Sequence, residues 1–548
     1  MNAIEVILAM LAAVVASGYL ARLSPLSLPL PLPLVQIALG ALIAGVFHAG
    51  VTLDPATFFL LFLPPLLFLD GWRIPKSGLA RDRAVVLELA LGLVLFTVLG
   101  AGFLIHWMIP AMPLAVAFAL AAIVSPTDPV AVSAIAARTR MPKRLMHILE
   151  GESLLNDASG LVCFRFAVAA ALTGTFSLAG AALTFLWLAL AGVAVGAGTT
   201  LAISLGQRWL APRVGEESGS SILLSLLTPF AAYLLAEAAH ASGILAAVAA
   251  GITTSYVELR GRTTAATRVQ RAAVWDTVQF TLNGMMFVLL GEQLPRILQG
   301  AMASVEQSGH LSPWWLAVYA LAINAGLALL RLAWVWVSLR LTMYAARRRG
   351  EAVRKPHWRL VVATALAGVR GAITLAGVLT LPLLTPAGEP FPARDLAVFL
   401  ATAVILISLL TASIGLPRLL DGLELPEEPA ERQEEDLGRR QAAQAAITAI
   451  EQAQFHALRE AADADVYANA AAHVISLYQH RLALDGSVPG DTDPEQLRKA
   501  DRAEREMRLA GLRAERETLF ALARQDRISD HTARRLVREL DLMESRAR

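Results

Sequence analysis

The chain has 548 residues; 56% are hydrophobic and only 17% charged, against about 25% charged in an ordinary soluble domain. A formal net charge of +2 gives no ground for a nucleic-acid partner, and a single cysteine, Cys163, excludes an intramolecular disulfide framework. The apolar excess is confined to the first 420 residues, so a membrane domain over 1–422 followed by a soluble tail over 423–548 is expected.

A helix crossing about 30 Å of hydrocarbon needs roughly 20 apolar residues. In chain order the candidate spans lie near 4–21, 31–48, 56–71, 84–106, 113–137, 147–173, 178–206, 220–239, 241–257, 272–293, 314–339, 358–383 and 394–419, thirteen in all. The first lacks a basic flank and runs into further spans, so it reads as a retained helix rather than a cleaved signal. Basic residues alternate between the gaps. Those after odd-numbered spans carry Arg22; Arg73 to Arg83; Arg138 to Arg144; Arg208 and Arg213; Arg260 to Arg271; and Arg340 to Arg359. Those after even-numbered spans carry only Arg296 and Arg394. Basic loops stay cytoplasmic, which places the N-terminus outside and the tail inside the plasma membrane. The tail opens with a Pro- and Glu-rich linker, Pro426 to Glu435. Ala-, Arg- and Glu-rich helical stretches follow over 436–482 and 494–524, broken at Gly486 to Asp493. It reads as a helical domain serving assembly, stability or regulation.

Ionisable groups inside a span cost roughly 2.5–3.5 kcal/mol at the helix centre on insertion scales and mark function by default. The fifth span holds Ser125-Pro126-Thr127-Asp128-Pro129. Two prolines so close make a continuous helix improbable, and opened backbone at that depth must be satisfied by protein or water. An unwound segment centred on Thr127 and Asp128 is expected, with Asp128 set against the positive end of the following half-helix. The sixth span opens with Gly151-Glu152-Ser153-Leu154-Leu155-Asn156-Asp157. Glu152 and Asn156 share a face, Asp157 lies one residue round, and Ser153 sits one turn before it. Two carboxylates, a hydroxyl and a carboxamide form a hard-oxygen set suited to dehydrated Na+ or Li+. The competing expectation is a helix-start cap. Arg331, deep in the eleventh span, needs an anionic partner, Glu152 or Asp157. In the twelfth span, Gly368-Val369-Arg370-Gly371 suggests a second broken helix, with Arg370 offsetting inward-pointing carbonyls; the sequence leaves open whether Glu152 pairs with Arg331 or Arg370. If spans 1–6 and 8–13 are inverted halves joined by the seventh, the two breaks fall at matching positions, a pointer to a transport site. Asp70 and Glu292 are expected at interfaces, and Asp276 and Asn283 on one face of the tenth span.

These motifs resemble those of sodium/proton antiporters of the cation/proton antiporter superfamily, in the branch of bacterial sodium/proton antiporters and animal sodium/hydrogen exchangers. The stretches that carry the resemblance are LPPLLFLDGW from Leu63 to Trp72, SPTDPVAV from Ser125, GESLLNDASGLV from Gly151, the region Asn283 to Gly291, Arg331, and GVRGAITLA from Gly368. The resemblance implies an all-α fold of thirteen membrane helices with crossed, broken helices, a homodimer, and exchange of Na+, or Li+ or K+, for H+ with a role in pH homeostasis. It implies that Asp157 carries cation and proton in turn, that Thr127, Asp128, Ser153 and Asn156 surround the ion, and that Glu152 and Arg331 form a buried structural pair. Asn156 before the carrier Asp implies electroneutral one-for-one exchange. No cofactor and no enzymatic chemistry are implied. The competing readings are a proton-coupled carrier of another small substrate and a membrane channel or sensor; an ATP-driven pump would need a Gly-rich phosphate loop, which is absent from the sequence.

Overall fold

The computed structural model describes residues 3–23, 31–47, 55–73, 88–128, 132, 143–174, 178–214, 217–258, 265–307, 314–348, 357–421, 429–460, 464–484, 494–525, 527, 536–537, 539–540 and 542–544. Among the described residues helix is the main regular structure, with one isolated bridge between Leu384 and Pro390. The chain divides into two compact units, Met1–Glu424 and Leu425–Arg548.

The helices of the first unit are α1 (Ala3–Leu23), α2 (Leu32–Phe47), α3 (Pro55–Arg73), α4 (Glu88–Met108, opening with a π turn over Glu88–Leu93), α5 (Leu114–Val124), α6 (Lys143–Thr173), α7 (Leu178–Val214), α8 (Ser218–Ala238), α9 (Gly243–Glu258), α10 (Ala265–Gln307), α11 (Trp314–Arg348), α12 (Trp358–Leu366), α13 (Ala372–Leu379) and α14 (Arg394–Leu420). Among the described residues, six stretches are long and apolar enough to cross a membrane: Glu88–Met108, Leu186–Leu210, Ser218–Ala238, Thr267–Met302, Trp314–Tyr344 and Arg394–Leu420. Shorter apolar helices, among them Leu32–Val46 and Leu114–Val124, accompany them. The spans expected at 220–239 and 241–257 are separate helices, α8 and α9, divided by a turn in which His240 takes a positive φ of 51°.

Burial sorts these helices by environment. α5 is apolar all round and buried from Val116 to Val124 save for the half-buried Phe118, which is what an enveloped core helix requires. α7 leaves Leu186, Trp187, Leu190, Leu201 and Trp209 exposed, as a helix facing hydrocarbon chains would. Two crossings are closed by glycines. Gly40 of α2 lies on the backbone of Val288 in α10 and Gly291 of α10 on that of Ile37, while Gly71 of α3 lies on Val248 of α9 and Gly251 of α9 on Phe68. A methyl group at any of the four would strike backbone, so these helices meet at a distance only small residues permit.

The second unit contains α15 (Pro429–Glu460), α16 (Ala464–Leu484) and α17 (Pro494–Arg524). Here the expected linker is corrected, because its second half is already helix. Pro429 occupies the first position, where its missing N–H costs nothing, and Glu431, Glu434 and Glu435 lie near the positive end of the helix. The expected break at Gly486 to Asp493 lies outside the described residues. Arg516 pairs with Glu544, and Leu512 and Leu540 are buried.

Candidate functional site

The site begins where two helices stop inside the first unit. α5 ends at Val124, and Ser125–Asp128 continues as non-helical backbone. Pro126 cannot donate to the helical ladder, and its ring rests on Gly160 of α6, where a side chain would collide with it. α12 ends at Leu366, and α13 restarts at Ala372 after the extended run Gly368–Gly371. The two interruptions meet: the Asp128 amide donates to the Val369 carbonyl at 2.7 Å.

The helix ends at Val124, Leu366 and Ala372, brought together in an apolar interior, leave carbonyls and amides without intrahelical partners. Buried Arg370 serves the carbonyl ends. Its Nε donates to the Val124 carbonyl of α5 at 2.9 Å, its Nη1 donates to the Gly368 carbonyl beyond α12, and its backbone amide donates to Ser408 Oγ at 3.1 Å. The Asp128 carboxylate sits against Gly371, the residue that caps the N-terminus of α13, where a negative charge is favoured. The half-helix expected to follow Asp128 in the chain lies outside the described residues; the helix end beside this carboxylate belongs to α13.

α6 supplies the rest. Because the helix begins at Lys143, Glu152 to Asp157 lie more than two turns inside it, so these residues cap no helix start. Glu152 is fully buried and accepts from Arg331 Nη1 at 2.5 Å and Nη2 at 2.9 Å. Arg331 Nε donates to the Thr364 carbonyl at 3.1 Å. Thr127 Oγ1 donates to Glu152 Oε1 at 3.2 Å, and Asn156 Nδ2 donates to Thr127 Oγ1 at 3.0 Å. A hydroxyl carries one proton; with that proton on Glu152, Asn156 must be the donor to Thr127.

One position round the helix, Ser153 and Asp157 face a cavity of about 20 Å3, room for about one water-sized occupant. α3 lines it with Leu66 and Asp70, the first interruption with Pro126, Thr127 and Asp128, α10 with Gln279 and Asn283, and the second interruption with Gly371, Ile373 and Thr374. Among the described residues the lining thus holds three carboxylates, three hydroxyls and two carboxamides, and no Lys or Arg. The acidic groups Asp70, Asp128 and Glu152, among the described residues, lie near enough to act on Asp157. Among the described residues no cluster of three or more His, Cys, Asp or Glu has the geometry of a bound-metal cage. The donors are hard oxygens.

Four of the five expected ion-site residues, Thr127, Asp128, Ser153 and Asp157, line this cavity. Asn156 does not: it stands behind Thr127, because residues 153 and 157 share one face of α6 and 152 and 156 the next. Asp70, expected at an interface, lines the cavity instead. Asp276, about three turns into α10, forms an exposed pair with Arg73, whereas Asn283 is in the lining. Gln279 and Thr374 were not anticipated. Gln279 lies one turn from both Asp276 and Asn283, so the helical spacing already on that face pointed to it.

The sequence model of the transmembrane sodium/hydrogen exchanger family matches residues 9–422. The chain belongs to this family of transporters. Over 543 residues it is 40% identical to the uncharacterised Na+/H+ exchanger YjcE of Escherichia coli strain K12, covering 98% of each chain. Over 417 residues it is 43% identical to a sodium, potassium, lithium and rubidium/H+ antiporter of Bacillus pumilus, covering 75% of this chain and 60% of that one; it thus spans about three fifths of that relative's length. The exchanger also shares the fold of the sodium proton antiporter MjNhaP1 of Methanocaldococcus jannaschii, with a TM-score of 0.57 at 19% identity over 77% of this chain and 99% of that one.

Proposed function

We propose that this exchanger moves Na+, with Li+ and K+ as further substrates, against H+ by alternating access, one cation for one proton, and that the Asp157 carboxylate carries both in turn. The observation that carries this reading is a buried carboxylate facing a cavity of about 20 Å3 walled by oxygen donors, at the meeting of two interrupted helices. The wider cation range draws on the name of the Bacillus relative.

A cation and a proton compete for one carboxylate, since each neutralises it. If only the neutralised form crosses the hydrophobic barrier, the empty carrier stays put and exchange is obligatory. One carrier group then takes one Na+ one way and one H+ the other, and Asn156 beside it adds no second exchangeable charge. Ser153, Thr127, Asp128 and Asp70 complete the cation's shell; Asn156 acts through Thr127. The Glu152–Arg331 pair fixes α6 against α11 and α12, and Arg370 compensates the interrupted helix ends.

The proposed frame is thirteen spans, with α12 and α13 as two halves of the twelfth, and inverted repeats of six about α7. Exchanging the repeats turns the second and tenth spans into the ninth and third. The glycine crossings of α2 with α10 and of α3 with α9 are counterparts under that exchange, which supports the repeat. A homodimer in the bacterial inner membrane, N-terminus outside and helical tail cytoplasmic, completes the reading.

Purified protein in liposomes with an imposed pH gradient and a pH-sensitive dye provides the test. Addition of Na+, Li+ or K+ should collapse the gradient for wild type and not for Asp157→Asn. The apparent KM for the cation should rise as pH falls, approaching about tenfold per pH unit where the proton is the main competitor. Normal exchange by Asp157→Asn would remove Asp157 as the carrier.

A further inference from the structure

Arg73 is the last residue of α3, three positions after the cavity-lining Asp70. Its guanidinium spans two residues one turn apart on α10, donating from Nη2 to Asp276 Oδ1 and from Nη1 to Gln279 Oε1 at 2.7 Å. Gln279 is itself part of the cavity wall. A positive charge is therefore tethered, through one side chain, to the wall of a cavity whose described lining residues include no Lys or Arg. Asp276 balances that charge.

We propose that Arg73 and Asp276 form a charge-balanced collar at the cavity mouth, and that this balance sets the apparent cation affinity on the face of the membrane where they lie. Under the orientation proposed above that face is cytoplasmic, so the inference rests on the antiport reading. The side chains are 40% and 65% exposed, and an exposed pair of this kind adds little to stability. Its effect is on the local field, which raises or lowers the cation concentration at the mouth. The bridge also holds the Gln279 oxygen on a guanidinium and so keeps it from serving as a cation ligand. Arg73 is thus a positioning residue for Gln279 and, with Asp276, a regulator of access.

The sign of each substitution follows. Arg73→Gln leaves Asp276 unbalanced, concentrates cations and frees Gln279, so KM falls. Asp276→Asn leaves Arg73 unbalanced and repels cations, so KM rises. The double variant returns towards wild type. A bridge that merely braced α3 against α10 would be broken by either change, and both would move KM and thermal stability in one direction. The experiment measures Na+ KM at fixed pH on each face of oriented vesicles, at low and high concentrations of N-methylglucamine chloride. The expected shifts are opposite in sign and about two- to fivefold, confined to one face, and smaller in high salt because the Debye length shortens. Shifts of the same sign, or unchanged KM in both variants while wild type exchanges normally, overturn the collar. Absence of Na+-dependent proton flux in wild type overturns the antiport reading itself, which separates the two failures.

Discussion

Glu152 and Asp157 stand five residues apart on α6, both buried, and are treated in opposite ways. Glu152 accepts two hydrogen bonds from Arg331 and a third from Thr127. Asp157 faces the cavity, and among the described residues other acids lie near enough to act on it. The carboxylate with a guanidinium has nothing left to exchange. The one without needs a proton or a metal cation to be neutral, and the cavity offers room for either. A rotation of about 140° round one helix thus separates the paired carboxylate from the proposed carrier.

Removing the proposed carrier should produce the largest functional loss and the smallest structural one. Asp157→Asn should reduce cation-dependent proton flux to that of protein-free liposomes while its melting temperature in detergent stays at or above the wild-type value, because an unpaired buried charge has been replaced by a neutral isostere. A lower melting temperature would mean that Asp157 braces the fold. Behind it, Glu152→Gln or Arg331→Gln should destabilise by about 3–5 kcal/mol, since each strands a buried charge. Replacing both with neutral residues should restore much of that stability in thermal unfolding. If either single variant were as stable as wild type, the pair would not be holding α6.

The same contrast separates what the sequence disclosed from what it hid. Glu152, Asp157, Arg331 and Arg370 were legible because charges are rare in apolar spans, and both helix interruptions because Pro126 and the glycines around Arg370 break the helical ladder. Asn156 is expected at the ion because periodicity groups residues by face without saying which face meets the cavity; in the structure it stands behind Thr127, which lines the cavity. Asp70 looked like an interfacial residue because it lies close to the basic loop, and its place in the lining depends on the Gly71–Gly251 crossing, a long-range packing fact. Thr374 is uncharged and carries too weak a signal to stand out in an apolar segment, whereas Gln279 was legible only through its place on the face shared by Asp276 and Asn283.

Gly371 offers a way to disturb the cavity side without touching a charge. A Cβ there would run into the Asp128 carboxylate, and the glycine's φ of −132° is open to any residue, so the effect of Gly371→Ala is steric alone. It should destabilise by about 1–3 kcal/mol, the usual range for forced overpacking, and raise the cation KM by turning Asp128 away from the cavity. Melting temperature together with KM checks this. A stability loss at unchanged KM would place Asp128 outside the cation's shell.

The mildest change should come from Asn156, on the boundary between the two faces. Its side chain gives Thr127 one hydrogen bond, and Thr127 in turn reaches both the cavity and Glu152. Asn156→Ala removes that bond and leaves the one from Thr127 to Glu152 intact, so the threonine is loosened but not lost. One hydrogen bond is worth about 1 kcal/mol net, which corresponds to a rise in cation KM of about fivefold, with maximal flux kept. Asp157→Asn, by comparison, should leave no flux to measure. If Asn156→Ala were as inactive as Asp157→Asn, the carboxamide would be acting on the ion directly and the division between the two faces of α6 would fail. A few-fold KM effect would place Asn156 one step behind the ion, holding Thr127 in place.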